Sequence, residues 1–393
     1  MNLSARAYEN LPLPELPRSW AEINLEALRQ NYRTLCKTLQ KRTDPIAVVK
    51  ADAYGHGMAV CAKALAGEGC SRFAVSCLEE GIALRRALGK TAQILILGYT
   101  DPAMAARIAE FDLSQTLLSF AYAKELCRAA KRSNLRLRVQ YALDTGMNRI
   151  GFSAQSERDI LKTANNILHF CKEPVFLSEG MFTHFACADS RGDALTDLQA
   201  KRFLQVRKRL CPKGIRLFCH ICNSAGALLY PEHHLDGVRL GIVLWGILPV
   251  KTNLPLVPVM RLCTRVVHLH RVAAGERVGY GGTFCARRES LIATLPIGYA
   301  DGWLRAYEGA KVTVETKEGS FRVPLVGRIC MDQCMADVTG LHIKVGDRVV
   351  LFGKDPGDLK TLSEMANTIP YEPICLISPR VPRIYVEEKG ESR

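Results

Sequence analysis

Between residues 46 and 241 short apolar runs alternate with amphipathic stretches. The runs are IAVVK (46–50), FAVSC (73–77), QILILG (93–98), LSQTLLS (113–119), LRVQYAL (137–143), GMFTHFA (180–186), LFCHIC (217–222) and DGVRLG (236–241). Stretches such as LEEGIALRRAL (78–88) and FAYAKELCRAAKRS (120–133) lie between them and carry apolar residues at helical spacing. Strands separated in this way by helices predict a closed, eight-stranded parallel β/α barrel.

Beyond residue 255 the period shortens to two, in RVVHLH (265–270), SLIATLPIGYADG (290–302), KVTVETKEGSFRVPLVG (311–327) and VGDRVVLFG (345–353). Glycine turns break these runs, and Lys317, Glu318 and Gly319 mark a hairpin. The predicted fold class is therefore α/β, a TIM-like barrel followed by a C-terminal, mostly antiparallel β domain. The expected divisions are a proline-marked lead-in over 1–18, the barrel over 19–255 and the β domain over 256–393.

Composition narrows this reading little. Apolar residues make up 48% and charged residues 23%, as in ordinary globular chains. The net charge of +14 raises the question of a nucleic-acid partner. The basic residues, however, fall in RAAKRSNLRLR (128–138) and KRFLQVRKRL (201–210), where they alternate with apolar ones as on a solvated face. No aromatic-studded basic run accompanies them, so no nucleic acid is expected. Fifteen cysteines without an apolar leader suggest free thiols in a cytoplasmic setting. Cys219 with Cys222 and Cys330 with Cys334 have the spacing of a zinc site, but both pairs sit in apolar, strand-like runs. The expectation is buried structural cysteine and no metal. No apolar stretch is long enough to span a bilayer.

Polar residues that close barrel strands are where barrel chemistry concentrates. Lys50 ends IAVVK and precedes ADAYGHG. An amine delivered by an apolar strand to a barrel mouth loses solvation, which favours its neutral, nucleophilic form. The string VVKADAYGHG resembles the cofactor-lysine motif of the alanine racemases. Further strings resemble that family in the same order, over about residues 18 to 386: DTGMNRIGF, THFACAD, CNSAGAL, GVRLGI, VGYGGTF, IGYADGW, GRICMDQ and YEPICLISPRV.

The resemblance implies a pyridoxal 5'-phosphate enzyme that interconverts L- and D-alanine, the latter for peptidoglycan. Lys50 would hold the cofactor and handle the proton on one face of the substrate. Tyr280, lent by the partner of a homodimer, would act on the other face, supported by His184 and Arg239. A phenol with a pKa near ~10 needs such help. Arg239 would face the pyridine nitrogen; because a guanidinium keeps its protons, the ring stays neutral and reprotonation is favoured over transamination. Asn223, Ser224, Gly241, Ile242, Tyr54 and Tyr371 would surround the phosphate, where amides at a helix start suit an anion. Arg149 and Met331 would hold the substrate carboxylate, with Tyr299 and Asp332 along the access corridor.

In one respect the sequence departs from the family. Many members carry a carbamylated lysine beside the arginine matched by Arg149; here that position is Ala142. An arginine without an anionic partner is undercompensated, so a chloride, a water network or another carboxylate is expected beside it. The alternatives are a serine or broad-spectrum racemase with the same parts, a decarboxylase, or a non-enzymatic cofactor carrier. Tyr371 argues for a small substrate. Arg239 and Tyr280 argue against a decarboxylase, and residues 255–393 argue against a carrier.

Overall fold

A computed structural model describes residues 17–355 and 357–387. The expected lead-in lies outside the described residues up to position 16. Arg18, at its end, donates from Nη2 to Asp301 Oδ1 at 2.6 Å and from Nη1 to the Pro296 carbonyl at 2.6 Å.

All eight expected strands are present. They run Asp44–Val48, Arg72–Val75, Gln93–Ile96, Ser114–Leu117, Leu137–Asp144, Phe176–Phe182, Phe218–His220 and Gly237–Leu240. Each pairs in parallel with its neighbour in chain order. The eighth returns to the first with Gly237 opposite Asp44, which closes the barrel. The first strand stops at Val48, two residues before Lys50, so the lysine stands beyond the strand rather than at its last position.

The helices follow from their patterning. Helix Phe120–Arg132 starts at Ser119, whose Oγ accepts the Tyr122 N–H at 3.2 Å. It buries Tyr122, Ala123, Leu126, Cys127 and Ala130 and leaves Lys124, Arg128 and Lys131 in water. Lys201, Lys208 and Arg209 are likewise exposed on helix Ala194–Leu210. The basic runs are thus wet helix faces, as their alternation suggested. Among the described residues no helix is long and apolar enough to cross a membrane.

The second domain is a nine-stranded, mostly antiparallel sheet. Strands Lys311–Thr316 and Gly319–Val326 meet with Thr316 opposite Gly319, so Lys317 and Glu318 form the expected tight turn. Two features depart from the sequence reading. Strand Ser19–Asn24, within the segment read as barrel, pairs with Met260–Arg265 and Arg383–Val386 in the second sheet. Its Trp20 packs with Cys263, Val350 and Ile384 in a small core of their own. The chain therefore starts in the β domain, and helix Leu25–Thr38 leads from there to the barrel. Second, helices Asp358–Met365 and Tyr371–Cys375 interrupt the β pattern, each too short to show a helical period in sequence.

Candidate active site

Lys50 opens a turn that wild-type backbones rarely adopt. Ala51, Asp52, Ala53 and Tyr54 have φ of 52°, 51°, 57° and 54°, a full left-handed turn without glycine. Each non-glycine residue so placed costs about 1–2 kcal/mol. Several contacts offset this. Asp52 Oδ1 accepts the Met58 N–H at 2.7 Å, and Arg383 Nε donates to the Gly55 carbonyl at 2.8 Å. His56 donates to the carbonyls of Ala53 and Tyr54 and stacks on Trp245 at 4.4 Å. Gly55 itself has φ 81°, and a Cβ there would meet the Ile374 carbonyl oxygen at 2.3 Å. Lys50 is half-buried, and burial followed by the nearby Arg149 lowers its pKa, against a smaller upward pull from Glu80 and Cys375.

Arg239, on the eighth strand, is buried in the barrel mouth. Nη1 donates to His220 Nδ1 at 2.6 Å and to the His220 carbonyl at 2.9 Å. Nη2 donates to the carbonyls of Thr183 and Ile221 and reaches His184 Nδ1 at 3.5 Å. His220 Nε2 in turn donates to Gln140 Oε1 at 2.8 Å. Since Nδ1 of His220 accepts from the guanidinium, that ring carries its single proton on Nε2, whereas His184 Nε2 lies 3.5 Å from the Asn223 amide nitrogen. Burial, then Arg239, Arg149 and Lys50, hold the His184 pKa down at about 3. Burial lowers Arg239 only to about 10, so it stays charged at neutral pH. The sequence reading found His184 and Arg239 but missed His220 and Gln140. The available signal was a polar residue at an inward position of an otherwise apolar strand.

A third group lies across the mouth. Asn223 caps helix Ser224–Leu229, its Oδ1 accepting the Gly226 N–H at 2.9 Å. Ser224 Oγ accepts the Gly241 N–H at 3.0 Å, and Ile242 opens the next helical turn. A Cβ on Gly241 would stand 2.6 Å from the Tyr54 hydroxyl and 3.6 Å from Ser224 Oγ. Only a glycine leaves that small polar recess open. The Tyr54 and Tyr371 rings lie 6.4 Å apart. Burial raises both phenols, with Tyr371 pushed up to about 12 by burial and then by Asp189.

Arg149 is exposed, while Ala142, on the fifth barrel strand, is buried. Among the described residues of this chain no carboxylate pairs with Arg149. Asp144 instead accepts the N–H groups of Gly146 and Asn148, each at 3.0 Å, and shapes the loop that carries the arginine.

The remaining expected residues lie on the β domain. The Tyr299 N–H donates to the Cys330 carbonyl at 3.1 Å and the Ala300 N–H to the Met331 carbonyl at 3.0 Å. Asp332 pairs with Arg380 at 2.8 Å. Tyr280 stands between Gly279 and Gly281, whose φ values are 74° and 73°. It is 70% exposed, Met331 53% and Tyr299 41%. Among the described residues no hydrogen bond, ion pair or ring contact joins any of these residues to Lys50, His184 or Arg239 of the same chain.

Of the cysteine pairs, Cys219, Cys222 and Cys334 are buried free thiols and Cys330 is a half-buried one. Cys222 Sγ donates to the His233 carbonyl and Cys219 Sγ to the Leu217 carbonyl, each at 3.2 Å. Burial pushes both up to about 12.

Comparison with known proteins agrees with this architecture. Residues 23–249 match the profile of the alanine racemase N-terminal domain and residues 259–385 that of the C-terminal domain. An alanine racemase from Clostridium tetani is 42% identical over 380 residues, spanning 94% of this chain and 95% of its own. The solved alanine racemase from Clostridium difficile 630 superposes with a TM-score of 0.87 at 36% identity, covering 95% of this chain and 97% of that one. Alanine racemase from Bartonella henselae with covalently bound pyridoxal phosphate gives 0.83 at 30% identity, covering 94% and 100%. The parallel barrel joined to an antiparallel domain is the architecture that both profiles match, that of a barrel isomerase. The chain belongs to the alanine racemase family. It is an amino-acid isomerase that acts on a small molecule, alanine.

Proposed function

We propose that the chain racemises alanine with pyridoxal 5'-phosphate held by Lys50, using two proton-handling groups on opposite faces of the substrate. The observation that carries this reading is the grouping of Lys50, His184 and Arg239 at one barrel mouth with the Gly241 recess beside them.

The residues fit the cofactor. The recess bounded by Tyr54, Ser224 and Gly241, with Asn223, Ile242 and Tyr371 around it, offers hydroxyls and backbone amides to a phosphate. Both Nη atoms of Arg239 are committed to protein acceptors, while its Nε–H makes no hydrogen bond among the described residues. That donor would face the pyridine nitrogen. When bound, pyridoxal phosphate supplies an electron-withdrawing ring that acidifies the substrate Cα–H.

Lys50 would hold the cofactor through its amine and would move a proton at one face of the substrate Cα. Burial and then Arg149 lower its pKa, which shifts the amine toward the neutral form that can do so. Tyr280 of a second copy would serve the opposite face. Its 70% exposure suits a side chain that is completed by a partner, and Met331, Tyr299 and Asp332 would reach the same site from that copy. The domains would thus divide the work, with residues 19–255 binding cofactor and residues 256–393 completing the neighbour's site. His184, neutral and oriented by Arg239, would relay charge to the phenol. Arg149 would hold the substrate carboxylate, with chloride or another anion standing where Ala142 leaves room. Free cysteines accord with a cytoplasmic enzyme that supplies D-alanine for peptidoglycan.

The test is a single incubation of the purified protein with L- or D-alanine in heavy water. Deuterium at Cα of both enantiomers, starting from either one, is the expected result. Exchange without inversion, or carbon dioxide release, would refute the reading.

A further inference from the structure

We propose that Glu80 is a positioning residue for Lys50, acting by clamping the left-handed turn that follows it. Its two carboxylate oxygens are divided between two loops of the barrel mouth. Oε1 accepts the Ala51 N–H at 2.7 Å, and Oε2 accepts the Ser76 N–H at 2.7 Å. One loop follows the first barrel strand and carries Lys50; the other follows the second strand. The inference rests on Lys50 being the cofactor lysine.

The geometry gives the clamp a specific task. Within the turn, Ala53 N–H donates to the Val49 carbonyl and Gly55 N–H to the Ala51 carbonyl, each at 2.9 Å. The Ala51 N–H comes too early to find such a partner, and Glu80 supplies one from outside. The peptide group held in this way is the one joining Lys50 to Ala51, so the clamp fixes the direction in which the lysine leaves the backbone. Ala51 is also the first residue in the strained region, at φ 52° and ψ 52°. A conformation costly to an alanine persists only where its surroundings hold it. Glu80 is also the one carboxylate among the groups that act electrostatically on Lys50, the others being Arg149 and Cys375.

A glutamine at this position can accept one N–H but presents a donor where the second acceptor is needed. The experiment compares wild-type, Glu80→Gln, Ala51→Gly and the double variant. Two quantities are read: the rate at which cofactor-free protein captures pyridoxal phosphate, followed by absorbance, and kcat against KM for alanine. Glu80→Gln should lower capture rate and kcat by about tenfold, the scale of one lost charge-assisted hydrogen bond, with KM little changed. Glycine adopts the left-handed region freely, so adding Ala51→Gly should recover at least part of both losses. The neighbouring exposed Glu79→Gln should behave as wild-type.

Capture and kcat near wild-type in Glu80→Gln would overturn the proposal. So would a defect that Ala51→Gly leaves untouched, since a carboxylate needed only for the Ser76 loop gains nothing from a change at position 51. If Glu80→Gln does not fold, Glu80→Asp, which keeps the charge but cannot span both amides, takes its place. Failure of the underlying reading would look different: borohydride reduction of wild-type protein would leave the cofactor on a residue other than Lys50.

Discussion

Three interior imidazoles set the acid limit of the protein. His56, held at about 3, His184, also at about 3, and His220, well below its ordinary value, are all lowered first by burial. Their folded pKa values lie under the unfolded value of about 6.5, so the unfolded chain binds more protons whenever the pH falls below that point. The stability they support is therefore intact above about pH 6.5 and is lost as the pH falls toward about 3, at up to about 1.4 kcal/mol per group per pH unit. Urea midpoints should fall clearly between about pH 7.5 and about pH 5. A His56→Asn chain should show a shallower fall, because it lacks one of the three groups. An unchanged midpoint over that range would contradict this account. Arg239 is the cause common to two of these shifts, so the same buried cation that orders the site also sharpens its acid sensitivity.

At the scale of the element, Arg383 ties three pieces of chain together. Its Nε holds the Gly55 carbonyl at 2.8 Å, while Nη1 and Nη2 hold the carbonyls of Ser378, Val381 and Ile377 at 2.7–2.8 Å. The last described strand is thereby fastened to the left-handed turn and to the segment after helix Tyr371–Cys375. Lysine has one nitrogen and cannot match this fork. Arg383→Lys should cost about 2–3 kcal/mol, the penalty for leaving buried carbonyls unpaired, and should loosen pyridoxal phosphate as well. Differential scanning calorimetry with and without cofactor reads both effects. A melting point equal to wild-type would show that the fork is dispensable.

On the scale of the whole molecule, the 70% exposure of Tyr280, with no hydrogen bond or ring contact to Lys50, His184 or Arg239 among the described residues, makes a quantitative prediction. If Tyr280 serves the neighbouring subunit, a dimer of one Lys50→Ala chain and one Tyr280→Phe chain contains one intact site and one doubly defective site. Random pairing of equal amounts makes half the dimers mixed, so unfolding and refolding the two inactive variants together should restore about one quarter of wild-type activity. If Tyr280 served its own chain, every site would lack one of the two groups and mixing would restore nothing. The same assay done without refolding reports how readily the subunits exchange.

The sequence by itself determined the barrel, because eight apolar runs separated by amphipathic helices leave few other ways to bury their surfaces. It also determined the hairpin at residues 317 and 318, where local turn chemistry suffices, and it pointed to Lys50 and Arg239, whose charges are conspicuous at the ends of apolar runs. Only the tertiary structure decided that strand Ser19–Asn24 joins the far sheet, since its pairing partners lie more than two hundred residues away and leave no local trace. The left-handed turn was equally hidden, because alanine and tyrosine give no sign of a conformation that distant groups such as Arg383 enforce. His220 and Gln140 each showed only as a polar residue in an apolar strand; that they form one buried hydrogen-bond chain with Arg239 was decided by proximity alone.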